Sequence, residues 1–251
     1  MPIVQRQFFE KQEYWKEAKG RPKDRETLTD VFLEAQKEHP EVKDFQPMMH
    51  SMTVIGAGTE STYAYFPKTI QSTDEQLCRA TTISSIFYYL LKNKGCYLKL
   101  QNELDNLECS KIPVSFSEAQ KLPYLNAVID EAMRCHWISR LPQPRDTPKD
   151  GLHICGHWIP SGVAVSTYGT VLHHRKEVFG EDIYIFRPER WLEEKDRVQR
   201  MRNSRFSFGS GKYSCLGRHL AMLMILKFVP SILREFDVRL PSSCGLSILF
   251  S

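Results

Sequence analysis

The stretch Phe208-Gly209-Ser210-Gly211-Lys212-Tyr213-Ser214-Cys215-Leu216-Gly217 constrains this 251-residue chain more than any other. It sets one cysteine among glycines, just ahead of a run with helical apolar spacing (Leu220, Ala221, Leu223, Met224, Leu226, Phe228). Glycines permit sharp turns and let the backbone approach a large flat ligand closely. Successive backbone N–H groups can point at the sulfur, and a helix start adds partial positive charge; both favour a thiolate. The plain alternative is a buried free cysteine beside a glycine-rich turn. The order Phe-x-x-Gly-x-x-x-Cys-x-Gly is far more demanding than a lone cysteine, so the remaining chain decides between the two.

Composition narrows the class. Hydrophobic content of 41% and charged content of 25% are those of an ordinary globular domain with a sizeable core. A net charge of +4, with basic and acidic residues interspersed, gives no footprint for nucleic acid. The seven cysteines are odd in number and show no Cys-x-x-Cys pair, which argues against a disulfide framework or a zinc site and for a reducing compartment. The N-terminal apolar run is too short for a signal peptide, and no stretch approaches the ~18–20 apolar residues of a membrane span. The chain as written is expected to be cytoplasmic or peripheral.

Helical patterns cover residues 3–19 and Thr27 to Lys37, the latter with Phe32, Leu33 and Gln36 on one side. A third helix begins at Phe45 and meets Gly56-Ala57-Gly58-Thr59-Glu60-Ser61-Thr62. Two glycines in an apolar helix cost about 1 kcal/mol each relative to alanine. They mark either a helix end or a helix passing close to a flat ligand, where Ala57 and Gly58 leave room and Glu60, Ser61 and Thr62 follow within a turn. Residues 63–79 carry Pro67 and no helical period, and the helical pattern resumes at Thr81. Removing 63–79 joins Thr62 to Ala80 in one continuous helical pattern, so this segment is expected to be an insertion, either a retained short intron or a surface loop.

Residues 97–107 form an amphipathic helix, and Ser117 is expected to cap the next one. In Tyr124-Leu125-Asn126-Ala127-Val128-Ile129-Asp130-Glu131-Ala132-Met133-Arg134, Glu131 and Arg134 lie at i and i+3, the spacing of an ion pair. Residues 152–170 alternate and turn like the short strands of a small sheet, preceded by Arg145 in a loop. Then follows Pro188-Glu189-Arg190-Trp191. His173 and His174 have no third ligand spaced to join them and are expected to be loop residues.

Four of these stretches, in this order, resemble the cytochrome P-450 family. Ala57–Thr62 resembles its oxygen-activation motif, with Ser61 where threonine is usual. Tyr124–Arg134 resembles its Glu-x-x-Arg helix, Pro188–Trp191 its Pro-Glu-Arg segment, and Phe208–Gly217 its cysteine-ligand loop. The wording is similar to fungal members of the pisatin-demethylase-like type. The resemblance implies a mainly α fold with a small β-sheet, read here as the C-terminal portion of that fold within one partial domain, 1–251. The N-terminal half is missing, and 241–251 is an atypical tail. It implies heme b bound by the axial thiolate of Cys215, a ligand that pushes electron density toward bound oxygen. Ala57, Gly58, Arg145, Phe208, Gly211, Tyr213 and Gly217 would contact the cofactor, with Arg145 on a propionate and Tyr213 standing where arginine or histidine is usual. Glu60, Ser61 and Thr62 are the candidate catalytic residues. Glu131, Arg134 and Arg190 would form a structural triad supporting the ligand loop. The implied function is monooxygenation of a small apolar organic substrate with electrons from an NADPH-dependent flavoprotein reductase. A full-length relative would sit at the endoplasmic reticulum membrane, on its cytosolic face. The alternative is an inert fragment or a non-enzymatic helical binding protein of the same family.

Overall fold

The computed structural model describes residues 27–39, 41–43, 45–62, 82–107, 112–137 and 143–239. The expected helix over 3–19, the insertion 63–79 and the tail 241–251 lie outside them. The chain falls into two compact units, Met1–Glu60 and Ser61–Ser251.

In the first unit, α1 (Leu28–Glu38) starts at Thr27, whose hydroxyl accepts from the Asp30 amide while the Asp30 carboxylate accepts from the Thr27 amide. This reciprocal bond satisfies two amides that a helix start leaves open. α1 buries Leu33 against Met48 of α2 (Gln46–Thr62), and Thr29 and Ser51 share a hydroxyl–hydroxyl bond of 3.3 Å. α2 does not stop at its glycines but runs through Gly56 and Gly58 to Thr62.

The second unit opens with α3 (Thr82–Lys92) and α4 (Lys94–Asp105). A short α5 (Phe116–Ala119) precedes α6 (Pro123–Cys135). The cap of α5 is Ser115 rather than Ser117: its hydroxyl accepts from the Glu118 amide, and the Glu118 carboxylate reaches back to the Ser115 amide. Glu118 lies three residues after Ser115, the spacing such a reciprocal cap requires. α6 has no cap of its own, because Leu122 precedes it and Pro123 opens it. Glu103 of α4 supplies the missing acceptors, taking the amides of Tyr124 and Leu125 at 2.7 and 2.8 Å.

Next come β1 (Gln143–Asp146), β2 (Leu152–Ile154), β3 (His157–Ile159) and β4 (Ala164–Thr167). They form two two-stranded antiparallel sheets, β1 with β4 and β2 with β3, instead of one small sheet. Arg145 is therefore a strand residue opposite Val165, not a loop residue. The chain continues through α7 (Gly169–His173), α8 (Lys176–Phe179), a 3-10 turn Pro188–Leu192, and α9 (Lys195–Ser204). A second 3-10 turn, Gly211–Tyr213, leads to α10 (Arg218–Glu235).

The main core lies among α3, α4, α6 and α10, where Ile86, Leu90, Leu100, Leu104, Leu125, Val128, Ile129 and Val229 are fully buried. Burying each such side chain contributes about 1.5–3 kcal/mol. Tyr89 of α3 stacks on Phe186 at 4.9 Å, carrying this core to the segment just before Pro188. A second cluster holds Ala127, Phe179, Ile183, Trp191 and Met201. α6 contributes to both clusters, which places one side of it against the helices and another against the irregular segment that precedes the cysteine loop.

Candidate functional site

Glu131 and Arg134 sit on the last turns of α6, and Arg190 on the 3-10 turn; all three side chains are fully buried. The Glu131 carboxylate accepts from Arg134 Nε and Nη2 at 3.0 and 2.8 Å and from Arg190 Nε at 3.0 Å. It also accepts from the Trp191 indole N–H at 2.9 Å and the Arg187 amide at 3.0 Å. Arg134 donates further to the carbonyls of His173, Ile183 and Ile185. Arg190 donates to the carbonyls of Phe179, Asp182 and Ile185 and to the Asp182 carboxylate. Buried charge persists only where it is paired and hydrogen-bonded throughout, and this network meets that condition. Its position also explains the neighbouring thiol: burial, then the Glu131 charge, pushes Cys135 up to about 12.

The network holds the backbone of 173–191, and that segment leads to the cysteine loop. Gly209 and Gly211 have φ of +70° and +61°, a conformation L side chains resist. At Gly209 a Cβ would also stand 3.0 Å from the Tyr213 carbonyl oxygen. The loop closes on itself through the Cys215 amide, which donates to the Phe208 carbonyl at 2.8 Å, and the Ser214 amide, which donates to Gly211. The Arg218 amide then donates to the Cys215 carbonyl as α10 begins. Cys215 is exposed, not buried as for a typical lone cysteine. A Cβ on Gly217 would lie 3.8 Å from its sulfur, in ordinary contact, so the position borders the thiol directly.

The structure brings Arg145 to this loop. Its guanidinium lies 4.0 Å from the centroid of the Tyr213 ring, and Lys212 Nζ lies 5.0 Å from the same ring. Two cations thus gather at a phenol, where a ring face attracts positive charge. On the other side, Arg218 lies over the Phe208 ring at 5.7 Å, and Phe208 packs against the main core. Leu216, next to Cys215 in the chain, and Leu220 on the first turn of α10 are exposed at 92% and 63%.

Of the remaining sequence candidates, Ala57 is exposed on α2. For Gly58, Glu60, Ser61 and Thr62 only their place on α2 is described. Sequence reasoning missed Trp191 as a Glu131 partner, although it stood in the Pro-Glu-Arg-Trp stretch. It also misplaced His173, which is no loop residue: it is fully buried at the end of α7, its Nε2 accepting from the Phe206 amide at 2.9 Å. The one available signal was its position six residues before Phe179 in a stretch otherwise rich in charge.

Residues 78–249 match the family model for cytochrome P-450. The chain belongs to the cytochrome P-450 family. It is 42% identical over 161 residues to a cytochrome P-450 monooxygenase of Alternaria alternata, covering 63% of this chain and 43% of that one. It is 37% identical over 186 residues to a pisatin demethylase of Fusarium vanettenii, covering 74% of this chain and 33% of that one. A zebra fish cytochrome P-450 solved with abiraterone superposes with a TM-score of 0.73 at 26% identity, covering 97% of this chain and 53% of that one. The chain thus spans between about a third and two fifths of the length of these curated relatives. No described helix of this cytochrome P-450 chain is long and apolar enough to cross a membrane.

The family's cofactor is haem, and the donor set at Cys215 fits it. An exposed thiol projects from a backbone that glycines hold open. Exposed apolar Leu216 follows it in the chain, and Arg145 and Lys212, gathered at Tyr213, supply cations that match carboxylates.

Proposed function

We propose that Cys215 is the thiolate ligand of a b-type haem and that the protein acts as a haem-thiolate monooxygenase, inserting one atom of dioxygen into a small apolar organic substrate. The observation that carries this is an exposed cysteine on a doubly left-handed glycine loop, braced by a fully buried Glu131-Arg134-Arg190 network. Bound haem would supply the oxygen-activating chemistry, with the thiolate's electron donation as its distinguishing feature.

This chain's residues divide the remaining work. Gly209 and Gly211 set the loop's path, and Gly217 borders the sulfur. Arg145, stacked on Tyr213, carries positive charge to the position where the family usually has arginine or histidine, so Arg145 and Lys212 would bind the propionates with Tyr213 as their platform. Glu60, Ser61 and Thr62 would hold and hand on protons. Serine keeps the donor hydroxyl of the usual threonine but lacks the methyl that limits its rotamers. Electrons would come from an NADPH-dependent flavoprotein reductase, and the working location would be the cytosolic face of the endoplasmic reticulum.

The test is a reduced, CO-bound absorbance spectrum of the purified chain after haem loading. The red-shifted Soret band of thiolate ligation is expected, and Cys215→Ala should abolish it. Persistence of that band in the variant would mean a different ligand. Failure of the wild-type chain to take up haem would favour the non-enzymatic alternative.

A further inference from the structure

His173 belongs to neither the cofactor contacts nor the buried ion network, yet it touches both neighbourhoods. Its backbone carbonyl accepts from Arg134 Nη1 at 3.2 Å. Its ring reaches the other way, with Nε2 accepting the Phe206 amide at 2.9 Å, two residues before Phe208, where the cysteine loop begins. The Gly209 amide then donates to the Phe206 carbonyl, so His173 holds by its amide the residue from whose carbonyl the loop turns.

The bond dictates the ring's state. An Nε2 that accepts an N–H must carry a lone pair, so the neutral ring bears its proton on Nδ1. Nδ1 is buried and makes no hydrogen bond of ordinary geometry among the described residues, although the Arg134 backbone lies near enough to favour a proton on the ring. A buried donor left without a full bond costs up to about 1–3 kcal/mol, so the fold tolerates a penalty on one nitrogen to use the other. Protonated imidazole has no acceptor and could not keep the Phe206 bond.

We propose that His173 is a positioning residue that latches the cysteine loop to the Glu131 network, and that protonating its ring unlatches the loop. The loop's importance rests on the function proposed above; the latch itself does not. The surroundings keep the ring neutral. The charged and titratable groups around it are Arg134 from α6, Arg205 beyond α9 and its own neighbour His174, while Phe179 packs edge-on at 6.5 Å. Arg205 is in turn paired with Asp130. Burial lowers His173 most, the Arg134 backbone opposes that, and the nearby positive groups add to the lowering, which leaves the ring at about 4. A cleft of about 210 Å³ lined by Leu172, Arg205, Phe206 and Gly209 adjoins the Phe206 end of the latch.

The sign follows from which state holds the proton. Between the ordinary histidine value of 6.5 and about 4, the opened loop binds a proton that the latched loop does not. Latching is therefore complete above pH 6.5 and is lost as pH falls toward 4. Between pH 7 and pH 4 the linkage predicts an increase in loop opening on the order of a hundredfold.

Hydrogen exchange of the peptide containing Phe206, corrected for intrinsic rate, reads this in the 251-residue chain whether or not haem is bound. Wild-type protection should fall on that scale between pH 7 and pH 4. His173→Gln, which offers a carbonyl acceptor that does not titrate, should hold its protection nearly constant. His173→Leu should be poorly protected at every pH. Equal pH dependence in wild type and His173→Gln, or none in wild type, would overturn the latch. If the variants do not fold, 15N NMR of histidine-labelled wild type decides: a buried ring still neutral at pH 5 with its proton on Nδ1 supports the latch, and an Nε2–H tautomer overturns it. Absence of haem uptake would count against the monooxygenase proposal and leave these exchange and NMR readouts intact.

Discussion

Replacing Glu131 by alanine isolates the buried network most directly. The carboxylate takes six hydrogen bonds, from Arg134 Nε and Nη2, Arg190 Nε, the Trp191 indole, the Arg187 amide and, at 3.9 Å, the Cys135 thiol. Without it, two fully buried guanidinium groups face each other across the vacated space. Each keeps backbone carbonyl partners, and Arg190 keeps Asp182, so the loss is one counter-charge and several acceptors rather than all solvation. Breaking a buried pair from one side costs about 3–5 kcal/mol. The orphaned indole N–H adds about 1–3 kcal/mol. Against a typical domain stability of about 5–15 kcal/mol, Glu131→Ala should remove a third or more. Urea unfolding followed by circular dichroism measures it, as a fall in midpoint at unchanged slope. The control is Lys99→Met, which removes an exposed partner of Glu189 and should cost under about 1 kcal/mol. If Glu131→Ala unfolds at the same midpoint as that control, the carboxylate does not neutralise the two arginines and the argument fails. Replacing all three network residues by apolar groups of similar volume should recover part of the loss, because no unpaired charge then remains.

Three further outcomes are expected. Gly209→Ala should lower the thermal midpoint more than Gly211→Ala: both carry the left-handed penalty of about 1–2 kcal/mol, but only at Gly209 does the new methyl meet backbone, the Tyr213 oxygen at 3.0 Å. Ser115→Ala should cost about 1 kcal/mol in chemical denaturation, whereas Ser117→Ala should stay within about 0.5 kcal/mol of wild type, because the Glu118 amide bonds to Ser115. Transcript sequencing across Thr62 and Ala80 should recover reads lacking codons 63–79; if every read contains them, the segment is a true surface loop and the intron proposal fails.

Much of this protein was determined locally. The helix of Glu131 and Arg134, the helix that begins at Thr82, and the glycine turns around Cys215 depend on spacings within one or two helical turns, which any reader of the sequence can measure. The cap of α5 was equally local, three residues from Ser115 to Glu118, and was misplaced by two positions because serines at 115 and 117 compete for the role. Only the tertiary structure decided what joins these pieces. Glu103 caps α6 from about twenty positions away. Arg145 reaches Tyr213 across some seventy residues, and His173 meets Phe206 across thirty-three. Neither arginine nor histidine carries a local mark of such a bond: an exposed loop residue and a buried anchor are written with the same letter. The difference lies in whether packing removes the side chain from water, and removal from water makes an unmet polar group costly enough to demand a distant partner. Cys215 shows both sides. Its loop was legible in ten consecutive residues, while its exposure, like that of Leu216 next to it, was settled only when the chain's other elements packed elsewhere.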